Sequence, residues 1–320
     1  MLETVRRPSR SRVISSKALS SGRWSKRGRI FVPDGSFEWL RTHAALPCTA
    51  PIDDSITSVY FSGRDEKNRA HIGQFNFNPY KPERLTLRSK PVLAPGTLGA
   101  FDDSGVTVSC AVPHDGKLWL YYTGWSLGVT VPFYLAIGLA VSDDGETFER
   151  VSDAPILGRS AIDPYMVASP SVMHDGDHWR MWYVSCQRWE QCPNGPKHFY
   201  HIRYAESDDG IHWNCDGHVC IDFDNEDEYA FGRPCVVKDA DCYRMWYCVR
   251  GDVYRIGCAE SADGLTWKRK DSEAGITESE VGWDSVLTAY PHVFDAAGSR
   301  WMLYNGNDYG KTGVGLAEWV

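Results

Sequence analysis

Three stretches of the chain, LAIGLAVSDDGETFERV (135–151), YHIRYAESDDGIHWNCD (200–216) and YRIGCAESADGLTWKRK (254–270), are copies of one unit. Each opens with alternating small and large residues, as a half-buried strand does. Each then reaches an Asp-Gly pair that supplies the positive φ angles of a tight turn, and returns on an aromatic, Phe148, Trp213 or Trp267. Ahead of each copy lies a second aromatic-rich strand pattern, KLWLYYTGW (117–125), HWRMWYVSC (178–186) and CYRMWYCVR (242–250). Two weaker copies, SVYFSGRDEKNRAHIGQFNF (58–77) and RWMLYNGNDYGKTGVGLAEW (300–319), bring the number of units to five.

The turn serines at 142, 207 and 261 are 65 and 54 residues apart, enough for a four-stranded antiparallel sheet with its loops. Helical periodicity is lacking, and 29 Gly and 17 Pro punctuate the chain at strand-like intervals. A repeated small sheet cannot bury its faces alone, so radial repetition is expected: an all-β, five-bladed β-propeller over residues 31–320 as a single domain. A β-sandwich would not need a repeated unit.

Residues 1–30 carry nine of the 34 Lys and Arg and one acid, Glu3, and are expected to be a loosely ordered basic segment. The remainder holds 25 bases against 41 acids, which disfavours nucleic acid as a partner. No apolar run is long enough to span a bilayer. No apolar segment of signal-peptide type follows the basic start, so a cytoplasmic location is expected. The ten cysteines include no C-x-x-C pair, and several sit inside strand patterns, so reduced thiols are expected and neither a metal nor a cofactor is implied.

The S-x-D-G-x-x-W-like turns resemble those of the five-bladed propellers of glycoside hydrolase families 43, 32 and 130, over residues 40–320. They differ from sialidase Asp-boxes, which place one more residue between Asp and Gly. More specifically, R-P-x-V at 233–236 before a Met-Trp-Tyr strand, YRIGCAES (254–261), GWDS (282–285) and YGKTGVGLA (309–317) resemble a branch of this group associated with bacterial glycan biosynthesis. The resemblance implies a carbohydrate or a glycosylated small molecule as substrate, bound at a central funnel.

Glycosidic cleavage uses two carboxyl groups, one protonated and one ionised. The segments preceding the aromatic strands, taken as the innermost strands, supply the candidates: Asp103, Glu228, Asp284 and Asp163 as catalytic acids, with Asp102 beside them as a substrate-binding group. Glu228 is the favoured general acid because Arg233 follows it on the same segment. Each has a plainer role: Asp103 as a turn cap, Asp163 as a turn residue before Pro, Asp284 as a partner of loop amides. The acidic run Asp222, Asp224, Glu226 and Asp227 reads as a solvated loop.

One departure matters. The resembling families place a catalytic Asp on the first blade, where this chain reads THAALP (42–47) with His43 and no carboxylate. The leading expectation is a carbohydrate-active enzyme of glycoside hydrolase type, with Asp103 and Glu228 as the main pair and Asp284 or Asp163 as a third acid. With no first-blade Asp, catalysis by acids of other blades, a role for His43, and transfer or phosphorolysis stay open, and a non-catalytic glycan-binding propeller is the competing reading. Phosphate, as a phosphorylase would need it, could be held by Arg64, Arg69, Arg233, Arg250, Arg255 or Lys311. Trp125, Trp189, Trp283 and Tyr309 are candidate stacking platforms for sugar.

Overall fold

The computed structural model describes residues 22–320. It is built of strands, with no α-helix among the described residues. Four consecutive blades each run from an inner strand outward: β2 (Thr42–Pro51), β3 (Thr57–Arg64), β4 (Ala70–Asn78) and β5 (Lys81–Leu87); β6 (Gly105–His114), β7 (Lys117–Leu127), β8 (Phe133–Ser142) and β9 (Glu149–Arg150); β10 (Val167–Asp175), β11 (His178–Cys192), β12 (Gly195–Ser207) and β13 (Val219–Ile221); β14 (Ala230–Lys238), β15 (Tyr243–Arg250), β16 (Tyr254–Ser261) and β17 (Lys268–Arg269). The fifth contains β18 (Ala289–Ala296), β19 (Ser299–Asn305) and β20 (Val314–Trp319), and its outer strand is β1 (Trp24–Phe31), from the other end of the chain.

The five inner strands contact one another in a closed cycle, β2 to β6 to β10 to β14 to β18 and back to β2. Apolar clusters fill all five interfaces between neighbouring blades. Phe31, Phe61 and Trp301 join the fifth blade to the first, Tyr60 and Tyr122 the first to the second, and Tyr121 and Trp179 the second to the third. Trp182 and Tyr247 lie between the third and fourth, Trp246 and Tyr304 between the fourth and fifth. This explains the alternation of the aromatic strands: successive side chains point to opposite faces, and both faces of a blade are buried. The expected five-bladed propeller is the observed fold.

The repeated turn also has a physical account. Ser142 Oγ accepts the Gly145 N–H and donates to Asp144, whose carboxylate accepts the N–H groups of Glu146 and Thr147. Those amides hold Asp144 down to about 2. Ser207 with Asp209 and Ser261 with Asp263 repeat the arrangement.

The boundary expected at residue 31 is corrected. Trp24–Phe31 pairs antiparallel with β20 and closes the ring, burying Trp24 and Phe31. Arg27 and Arg29 are exposed while Lys26 turns to the buried Asp284, so charge concealed a strand. The rest of the expected loose segment, residues 1–21, lies outside the described residues.

Candidate functional site

Every inner strand carries a register break at the same level: Ala45 to Cys48, Val108 to Cys110, Ala168 to Ser171, Gly232 to Cys235 and Ala289 to His292. In four of the five, the extra residue precedes a proline and takes a positive φ: Leu46 (55°), Ser169 (48°), Arg233 (54°) and Tyr290 (56°). Proline removes a ladder donor and the left-handed conformation is strained for these side chains, by about 1–3 kcal/mol each. The bulges place these four residues around the axis, where they line one end of it.

That end is a funnel with about 190 Å³ of room inside. Its floor is hydroxylic. Thr123 Oγ1 accepts the Ser169 N–H at 2.8 Å, and the indole N–H of Trp125 donates to Thr107 Oγ1 at 3.1 Å. Its wall is aromatic: Trp125 packs on Phe133 (4.9 Å), Phe133 on His198 (5.9 Å), and His198 stacks on Tyr200 (4.7 Å, 5°). Tyr200 and Tyr254 share a 2.6 Å hydroxyl hydrogen bond, and Tyr254 packs on both Tyr290 and Tyr309 (6.0 Å each). Tyr309 is itself left-handed (φ 56°) in the loop between β19 and β20. Burial, reinforced by Arg250 and Lys197, pushes His198 down to about 4, so it is a neutral imidazole near pH 7.

Two arginines reach this space. Arg233, 2% exposed, crosses the axis to donate to the Ser109, Leu46 and Pro47 carbonyls of the second and first blades. Arg250 lies among the rings of Tyr229, Tyr254 and Tyr309, at 5.2–5.6 Å. The Nε of each is buried without a hydrogen-bond partner. None of the lining residues is Asp or Glu.

The expected acids are elsewhere. Asp102 accepts from Tyr122 (3.1 Å) and Arg150 (2.8 Å), Asp163 from Tyr183 (2.9 Å), Ser185 and Arg203 (3.0 Å), and Asp284 from Tyr304 (3.0 Å) and Lys26 (2.6 Å). All three are buried, and each stands 20 residues ahead of its tyrosine. They form one repeated Asp-Tyr-cation clip that ties an interblade loop to its blade. Asp271, with Tyr247 and Arg269, makes the fourth-blade version with the order reversed. For Asp284, burial opposes ionisation but Lys26, Ser279 and Tyr304 outweigh it, and its pKa is lowered.

Glu228 is held by both ends of the Arg269 guanidinium (2.6 and 2.8 Å) and accepts the Asp224 N–H. Its pKa is lowered despite burial, chiefly by Arg269, the opposite of what a general acid near neutrality requires. The expected pairing of Glu228 with Arg233 is therefore corrected: Arg233 meets backbone carbonyls instead. Asp103 caps the turn at Gly99 and Ser104. The reason is shared: the inner strands start two to five residues after these acids, which lie in the loops arriving from the preceding blade.

Of the expected binding groups, Trp125, Arg233, Arg250 and Tyr309 line the funnel. His43 lies beside Arg64 and Lys311, outside the lining. Burial and those two charges push it down to about 4, while Asp308 opposes them. Trp283 packs on Tyr304 and against Gly306 and Gly315, and is a blade-packing residue. Trp189 packs on Phe133 and His198 behind the wall. Arg69 and Arg255 are paired with Asp65 and Glu278. Sequence reading missed Leu46, Phe133, Ser169, His198, Tyr200, Tyr254 and Tyr290 as funnel residues. Its overlooked signal is the X-Pro pair recurring in four inner strands.

No protein-family model matches the chain. In fold it is similar to a putative glycosidase from Bacteroides thetaiotaomicron (TM-score 0.71, 15% identity, 96% of this chain and 99% of that one). It is likewise similar to a thermostable family-43 glycoside hydrolase (TM-score 0.66, 15%, 90% and 92%). The Bombyx mori family-32 β-fructofuranosidase BmSUC1 follows at TM-score 0.60, 15% identity, 86% of this chain and 61% of that one. At these identities the likeness is one of fold. Two Mycobacterium tuberculosis proteins, uncharacterized protein MT1551 and uncharacterized protein Rv1502, are each 46% identical over 295 residues, 92% of this chain and 98% of theirs. The chain belongs to the family of these two mycobacterial proteins, and it has a propeller fold shared with glycoside hydrolases of families 43 and 32.

Proposed function

We propose that the protein is a carbohydrate-binding propeller whose funnel holds a glycosyl unit by aromatic stacking and polar contacts, without a pair of carboxylates cleaving the bond. The observation that carries this reading is the lining itself: an aromatic belt around hydroxyl groups and arginines, in which no residue is Asp or Glu. Sugars present apolar C–H faces and a fringe of hydroxyls, which such a surface matches. Hydrolysis by the two-carboxyl route needs an acid and a base flanking the bond, and the buried acids of this chain are engaged in ion pairs with Arg150, Arg203, Arg269 and Lys26. Ten free thiols support a reducing, cytoplasmic setting, and we place the protein with glycan biosynthesis rather than glycan breakdown.

The test is a panel of aryl glycosides and sugar phosphates assayed beside calorimetric binding of the parent sugars. The expected result is binding that Trp125→Ala weakens by about five- to twelvefold, a stacking contribution of roughly 1–1.5 kcal/mol, with no turnover above the uncatalysed rate. Turnover that survives Trp125→Ala but is lost in Glu228→Gln would overturn the reading.

A further inference from the structure

We infer that the ligand of the funnel carries an anionic group, a carboxylate or phosphate attached to the sugar, received by Arg250 and Arg233. This rests on the carbohydrate reading above and narrows it. Arg233 is almost wholly buried, and the three acceptors it meets are neutral carbonyls. A cation out of water is costly unless paired, and such groups are ordinarily found with a counter-charge. Neither Arg233 nor Arg250 forms an ion pair with a carboxylate among the described residues, whereas Arg150, Arg203, Arg269 and Arg300 all do.

The contrast extends to the surroundings. The chain beyond residue 30 has 41 acids against 25 bases, yet none of those acids lines the funnel. Burial keeps the protons on Tyr200, Tyr254 and Tyr290: Tyr200 is pushed up to about 12, with Tyr254 and Arg250 opposing, and the other two are raised as well. They therefore supply hydroxyl groups and no negative charge. Lys197 sits over the Tyr229 ring at 3.6 Å, and Arg250 lies 5.3 Å from the centre of the same ring. A positive funnel in an acidic body concentrates field at its mouth and favours anions there over neutral sugars. The orphan Nε groups of Arg233 and Arg250 are donors without acceptors, and a sugar-borne oxyanion provides the charge-assisted acceptors they lack.

The experiment is calorimetric titration of the full chain, at constant ionic strength, with glucose, glucuronate, glucose 1-phosphate, inorganic phosphate and acetate, each to roughly 50 mM so that millimolar affinity is read. The expected result is that glucuronate or glucose 1-phosphate binds at least about tenfold more tightly than glucose, as a charge-assisted contact implies. The tighter of the two identifies carboxylate or phosphate as the group. Arg250→Met should bring that ligand to the affinity of glucose, and Arg250→Lys should keep part of the preference. This variant leaves the carbonyl contacts of Arg233 at the axis intact, and its melting temperature checks that it folds. Glucose binding as tightly as the charged sugars would overturn the anion assignment while leaving the carbohydrate reading standing. Inorganic phosphate or acetate matching the charged sugars would overturn both, as would failure of every probe to bind.

Discussion

Asp163 separates a catalytic acid from a structural clip. It is fully buried, and it receives the Tyr183 hydroxyl, the Ser185 hydroxyl and the Arg203 guanidinium. Asp163→Asn keeps the shape but removes the charge, leaving Arg203 as a cation without its counter-charge. Removing one member of a buried pair costs about 3–5 kcal/mol. With an unfolding entropy of about 2.1 cal/mol/K per residue over roughly 300 residues, that is a fall of about 5–8 °C in melting temperature. The assay is thermal unfolding by circular dichroism, with calorimetric binding of the same sugar probe at a temperature where the variant is folded. The expected outcome is the lower melting temperature with affinity unchanged within about threefold, a difference below 0.7 kcal/mol. Asp103→Asn, at a turn, should shift the melting temperature by no more than about 2 °C, a surface-type effect. An unchanged melting temperature together with loss of binding or turnover in Asp163→Asn would refute the clip.

Further outcomes follow from the same contacts. Glu228→Gln should cost about 1–3 kcal/mol in urea unfolding, because Arg269 loses its bidentate partner, and should leave sugar binding alone. Gly210 has φ +73°, and a Cβ there would lie 2.9 Å from Trp179 and from the Tyr121 hydroxyl, so Gly210→Ala should destabilise by about 2–4 kcal/mol in the same assay. Deleting residues 1–31 removes the closing strand and exposes the edge of β20. Losing the buried Trp24 and Phe31 alone costs about 3–6 kcal/mol, and size-exclusion chromatography should show aggregation. Burial, then Arg203, pushes His201 from 6.5 to about 4, so the unfolded state binds the extra proton between those values. Stability is therefore full above pH 6.5 and falls as pH drops toward 4, by about 2 kcal/mol at pH 5 from His201 alone. His201→Gln should flatten that slope in denaturant titrations across this range.

The fold was legible because five copies of one strand-turn-strand pattern survive as aromatics on alternate residues and as S-x-D-G turns with a fixed hydrogen-bond scheme. The closing strand was not, because Arg27 and Arg29, exposed on an edge strand, and Lys26, paired with the buried Asp284, read together as a charged tail. Among site residues, Trp125 and Tyr309 were found as aromatics near loops, and Arg233 and Arg250 as cations that could meet phosphate. Tyr254 and Tyr290 were not, because each opens a strand pattern, where an aromatic reads as core. The acids misled for a specific reason. Asp102, Asp163 and Asp284 recur in the second, third and fifth blades as catalytic carboxylates would, but their common spacing of 20 residues to Tyr122, Tyr183 and Tyr304 marks a repeated structural contact. A catalytic pair needs unlike environments for its two members; a repeated clip gives each the same one.

The central claim, that the aromatic and cationic funnel rather than any buried carboxylate is where sugar binds, is tested most directly by a crystal structure of the protein soaked with glucuronate or glucose 1-phosphate. The account predicts a sugar ring stacked on the Trp125, Tyr200 and Tyr309 belt with its anionic group within hydrogen-bond distance of Arg250. A sugar bound instead against Glu228, Asp163 or Asp284, with the funnel unoccupied, would contradict it.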